Sequence, residues 1–121
     1  MHEDFAVKVI QDALQVATKN KSKPYILVNL HQKVADKESY AKIKKFVGKY
    51  KDYDVYYVQD TEKDKKIGKT LNEMIPNLKI YDWTKHDIIQ IVSFFKGAKA
   101  GIGARLHFLM LLKECRVPLE P

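Results

Sequence analysis

Short apolar runs alternating with amphipathic stretches limit what this chain can fold into more than any other feature. Residues 25–30 (Tyr-Ile-Leu-Val-Asn-Leu), 54–59, 78–82 and 100–103 read as strands. The first is continuously apolar after Pro24, the pattern of a strand buried on both faces. The second is β-branched and aromatic. Apolar residues then recur at helical spacing. They are Tyr40, Ile43, Phe46, Val47 and Tyr50 in 36–51, and Ile67, Leu71, Met74 and Ile75 after a capping box at Thr61 and Asp64. Ile88, Ile89, Ile91, Val92 and Phe95 follow a second capping pattern at Thr84 and Asp87. A helix over 5–18, with Asp4 as its N-cap, precedes the first strand, and residues 20–24 link the two. Residues 106–115 form a last apolar helix, and Val117 begins a fifth strand. Strands separated by helices predict an α/β fold with a parallel sheet, right-handed crossovers and the order 3-2-1-4-5. At 121 residues the chain is one domain, with a helix and linker at 1–22 and the parallel core at 23–121.

That order reverses direction between the first and fourth strands, and ligands of such sheets bind beyond the strand C-terminal ends at the reversal. Asn29 and His31 from the first strand meet Gly103, Arg105 and His107 from the fourth there. The segment from Gly101 to Leu112 strengthens the expectation. Gly101 and Gly103 let the backbone turn tightly and let a ligand approach its amides. A helix start is a natural anion site. Arg105 in that first turn opposes the helix dipole, at a cost of about 0.3–1 kcal/mol, unless an anion lies between them. Its removal is therefore expected to leave the unliganded protein no less stable. The other reading of the segment is a plain strand–turn–helix connection, with Arg105 in solvent and His107 in the core. Arg105 and His107 can face one ligand together only if the helix begins at or after His107.

Composition narrows the partners. The net charge is +7, but the lysines are interleaved with acids in helical segments and read as solvated faces. Arginines are few and no nucleic-acid module is present, so no nucleic-acid partner is expected. The longest wholly apolar run, 108–112, is far too short to span a bilayer. The one cysteine, Cys115, reads as a buried small hydrophobe in a reducing, cytoplasmic setting. No Cys/His cluster has metal-ligand spacing, so no metal is expected. Asp60, Asp82 and Trp83 read as strand-end and capping residues, and His2 and His86 as surface residues.

The run Ala98-Lys99-Ala100-Gly101-Ile102-Gly103-Ala104-Arg105-Leu106-His107, the apolar helix after it and the pair Val117-Pro118 resemble the C-terminal signature of the polysaccharide pyruvyl transferases. The likeness is sharp over 93–118 and one of element order back to Tyr25. It implies a Rossmann-like domain, one half of a two-half GT-B fold. It implies transfer of pyruvate from phosphoenolpyruvate, as a ketal, to a hexose of a cell-surface polysaccharide. No cofactor beyond that donor is implied. Arg105 and His107 would serve donor binding and catalysis, with Gly101, Gly103, Ala104, Asn29 and His31 lining the substrate site. His107 would be the acid or a phosphate contact, while Arg105 and the backbone amides of Gly103 and Ala104 hold the anion. The implied partners are phosphoenolpyruvate or a similar anion, a saccharide acceptor, and a missing N-terminal half or a second copy through self-association. An alternative is the donor half of a GT-B glycosyltransferase using a nucleotide sugar. Many of those carry a Glu-x7-Glu pattern that Glu114 and Glu120 do not match. A third reading is a truncated, non-catalytic anion-binding module.

Overall fold

A computed structural model of the protein describes residues 3–16, 23–31, 36–59 and 61–119. His2, most of the expected linker, Gln32, Asp60 and Glu120 lie outside the described residues, as does the Asp4 side chain. Helices α1 (Glu3–Val16), α2 (Lys37–Gly48), α3 (Lys65–Met74), α4 (Ile88–Lys96) and α5 (Leu106–Glu114) alternate with strands β1 (Tyr25–Val28), β2 (Asp54–Gln59), β3 (Leu78–Asp82) and β4 (Gly101–Ile102). All four strands are parallel, in the order β3-β2-β1-β4.

The expected fifth strand does not form as a ladder. Leu119 makes a single parallel bridge to Gly101, whose N–H donates to the Pro118 carbonyl at 3.0 Å. Two features explain this. β4 is only two residues long and offers little edge, and Pro118 has no N–H to add to a ladder.

Side-chain alternation along the strands builds two cores. Ile26 and Val28 of β1 point to one face and pack with Ile43 and Phe46 of α2 and Ile67 and Leu71 of α3. Tyr25 and Leu27 point to the other, where Ile10 and Ala13 of α1 meet Val92 and Phe95 of α4 and Phe108, Leu111 and Leu112 of α5. The sheet is thus a middle layer, with α2 and α3 on one side and α1, α4 and α5 on the other.

Local signals set the helix ends. Asp36 caps α2 by accepting from the Ser39 N–H. The second capping box forms three residues later than expected. Asp87 and Gln90 exchange hydrogen bonds at the start of α4. Thr84 sits in a short 3-10 turn that Asp82 caps, and its donors hold the Asp82 carboxyl below the ordinary carboxylate range.

The C-terminus of α5 closes through two hydrogen bonds, Val117 N–H to Leu112 O at 2.8 Å and Arg116 N–H to Lys113 O at 3.1 Å. This is the Schellman pattern, and it places Arg116 at φ 58°. That left-handed position favours glycine. Arg116→Gly is expected to raise the unfolding free energy by about 0.5–1 kcal/mol, read by denaturant melts; a loss of stability would contradict this account of the cap.

Cys115 is buried beneath α4, its thiol 4.0 Å from the Val92 carbonyl. Burial, with Glu114 adding to it against an opposing Lys96, raises its pKa from the usual 9.0 to about 11. The native thiol therefore keeps its proton where the unfolded chain releases it. Stability from this group is fully present below pH 9.0 and declines as pH rises toward about 11. Alkylation of the folded protein at mildly alkaline pH should be at least about tenfold slower than in denaturant. Equal rates would contradict the burial.

Candidate functional site

The C-terminal ends of the parallel strands lie along one edge. At its centre a buried polar cluster ties three strands together. Asn29, 1% exposed, follows β1. Its side-chain amide donates to the Val58 carbonyl of β2 at 2.9 Å, and its side-chain oxygen accepts from the Arg105 N–H at 3.2 Å. The Arg105 guanidinium then reaches over β1 to Asp64, Nη2 to Oδ1 at 2.7 Å. The Asp64 side chain is fully buried and that of Arg105 is 16% exposed. Asp64 is itself fixed: its other oxygen accepts from the Thr61 N–H at 3.3 Å, and its carbonyl accepts from the Tyr57 hydroxyl at 3.2 Å.

This arrangement corrects the expectation that Arg105 is an unsupported cation at a helix start. It is held at its backbone by Asn29 and at its side chain by Asp64, so removing it strands a buried carboxylate. Asp64 is the residue that sequence reasoning missed. The capping box with Thr61 was legible, but a surface cap and a buried ion-pair partner share that pattern.

The glycines also play a different part from the one expected. Among the described residues no glycine has a positive φ. They are required by close packing instead. A Cβ at Gly101 would lie 2.9 Å from two Leu112 carbons, and one at Gly103 would lie 2.5 Å from the Phe108 ring and 3.0 Å from Asn29 Cβ. Helix α5 is drawn tightly onto β4 by this absence of side chains.

The structure brings Asn29, Gly103 and Arg105 together at the edge. Gly101 lies inside β4, paired with Leu27 and buried. Ala104 is exposed on the connecting segment, and His31 is half-buried three residues beyond the end of β1. Helix α5 begins at Leu106, with Arg105 as its N-cap and no side chain capping it. His107 thus falls in the first helical turn and is exposed, while Arg105 turns inward. The condition for both to face one ligand, a helix starting at or after His107, is not met.

A separate apolar depression of about 360 Å³ lies on the flank of α5, lined by Leu109, Met110, Lys113, Val117 and Leu119. No residue of the polar cluster lines it. Among the described residues no group of His, Cys, Asp or Glu side chains could hold a metal ion, and no helix is long and apolar enough to cross a membrane.

A parallel sheet between helical layers, with a polar cluster where β1 and β4 diverge, is a Rossmann-like α/β fold. Two solved structures share this fold. E. coli ADP-heptose LPS heptosyltransferase II superimposes with a TM-score of 0.62 at 13% identity, over 98% of this chain and 37% of that one. E. coli heptosyltransferase WaaC with ADP-2-deoxy-2-fluoro heptose gives 0.62 at 13%, over 91% of this chain and 35% of that one. The chain thus spans little more than a third of either enzyme. At this identity the likeness establishes the fold. It matches part of two heptosyltransferases and adds no support specific to the pyruvyl transferase family. No family model and no curated protein sequence matches the chain.

Proposed function

We propose that this domain is the donor-binding part of a GT-B glycosyltransferase and takes a sugar activated by a nucleoside diphosphate at the edge where β1 and β4 diverge. One observation carries the reading: the fold shared with two heptosyltransferases has its strand-order reversal at Asn29, Gly103 and Arg105. Ligands of open parallel sheets gather at that reversal. The uncapped first turn of α5 offers backbone amides and a positive dipole end to a diphosphate. Arg105 contributes a rigid wall and part of the local positive field, its charge shared with Asp64. Exposed His107 and half-buried His31 border the same edge and would contact the phosphates or the sugar.

This replaces pyruvyl transfer as the main reading. The motif over residues 98–107 still makes phosphoenolpyruvate the fair competitor, because it too is a small anion suited to a helix start. ADP, the nucleotide named in the WaaC complex, is the first probe. Ligand at about 100 times its Kd stabilises a fold by about 2.7 kcal/mol. ADP is expected to raise the melting temperature at concentrations where phosphoenolpyruvate and inorganic phosphate do not. Stabilisation by phosphoenolpyruvate alone would return the pyruvyl reading, and stabilisation by none of the three would remove the donor site.

A further inference from the structure

The charge of this protein is not spread evenly over its two helical layers. Helices α2 and α3 cover one sheet face and share a single apolar cluster with it. Together they carry seven lysines, all exposed, against two glutamates and no arginine. The opposite layer, α1, α4 and α5, carries three lysines against four acids. Most of the +7 net charge thus has a direction.

Two local pairs, Lys42–Glu38 at 3.7 Å within α2 and Lys65 of α3 with Glu62 of the preceding 3-10 turn at 2.7 Å, neutralise part of the face. Lys44, Lys45, Lys66 and Lys69 remain as exposed charges on it. None of the large apolar side chains of α2 or α3 is exposed.

We propose that the α2–α3 face adsorbs to anionic lipid bilayers. Three features select a bilayer among polyanions. The charges are lysines, compact hydrated cations that respond to a diffuse surface potential, not the forked guanidiniums that pair with bases and phosphates. The face is a layer of two helices rather than a groove for a duplex, and it offers no exposed aromatic ring for stacking single-stranded bases. With no large apolar side chain exposed on either helix, and only Ile80 of β3 exposed beside Gly68, it rests on the headgroups instead of inserting, so the attraction is electrostatic and screened by salt. This surface adjoins the proposed donor edge only at the N-terminus of α3, where Lys65 follows Asp64, and extends away from it along both helices.

The test is cosedimentation of the full chain with vesicles of phosphatidylglycerol and phosphatidylcholine in equal parts, and with phosphatidylcholine alone. The parent should bind the mixed vesicles at low salt, release them at about 0.5 M salt, and ignore the neutral ones. The variant carrying Lys44→Ala, Lys45→Ala, Lys66→Ala and Lys69→Ala should lose about tenfold or more in partitioning. A control carrying Lys8→Ala, Lys85→Ala, Lys99→Ala and Lys113→Ala removes the same net charge elsewhere and should stay within about twofold. Both should melt like the parent, since exposed substitutions change stability little. Failure of the parent to bind mixed vesicles, equal losses in the two variants, or tighter binding to random-sequence duplex DNA than to vesicles would each overturn the proposal.

Discussion

Asp64→Ala should lower the unfolding free energy by about 3–5 kcal/mol, a large share of the 5–15 kcal/mol that holds an ordinary domain. The effect comes from what remains behind. Arg105 would keep a charge 16% exposed with its 2.7 Å partner gone. The Thr61 N–H would lose its acceptor as well. Arg105→Ala should cost a similar amount for the mirror reason, a carboxylate with a fully buried side chain left without its cation. A dipole argument from sequence gives the opposite sign for Arg105, because it sees the helix start but not the acid 41 residues away. The double change Asp64→Leu with Arg105→Met should recover most of the loss, since a buried pair replaced by apolar groups is often near neutral. Denaturant melts of the four proteins decide it. Singles within about 1 kcal/mol of the parent would mean that the pair is solvated and contributes little.

The second large effect belongs to the contact between β4 and α5. Phe108 is fully buried and meets Phe95 edge-on at 5.5 Å between ring centroids. Phe108→Ala should cost about 3–5 kcal/mol through lost burial and the cavity left behind. Gly103→Ala should cost about 1–3 kcal/mol by overpacking, because its new methyl would lie 2.5 Å from a fully buried ring. The two are coupled through one volume. In the Phe108→Ala background, Gly103→Ala should lose most of its cost, giving a favourable interaction term of about 1 kcal/mol or more. Additive costs would show that Gly103 is constrained by something other than the ring.

The strand and helix alternation was legible because periods of two and 3.6 residues are written locally. The continuously apolar run Tyr25–Val28 marks a strand buried on both faces, and the β3-β2-β1-β4 order is the one expected for the first four strands. What escaped was set by contacts distant in sequence. Thr61 with Asp64 looks the same whether the acid caps a surface turn or lies under an arginine. Gly101 and Gly103 look like turn glycines until Leu112 and Phe108 are seen pressed against them. The start of α5 at Leu106, one residue too early for Arg105 and His107 to act together, depends on Asn29 holding the Arg105 amide. The candidate edge could be located from topology, but the internal pairing of its most prominent cation could not.

The most direct test of the central claim is a titration of isotope-labelled protein with ADP, followed by amide spectra. A donor site at the divergence of β1 and β4 predicts dose-dependent shifts at Gly103, Ala104, Arg105, Leu106, His107 and Asn29, saturating with a single Kd. Amides at the C-terminal ends of α2 and α3, away from the strand C-terminal edge, should stay unmoved. An unchanged spectrum at millimolar ADP, or shifts confined to residues away from the strand C-terminal edge, would contradict the account.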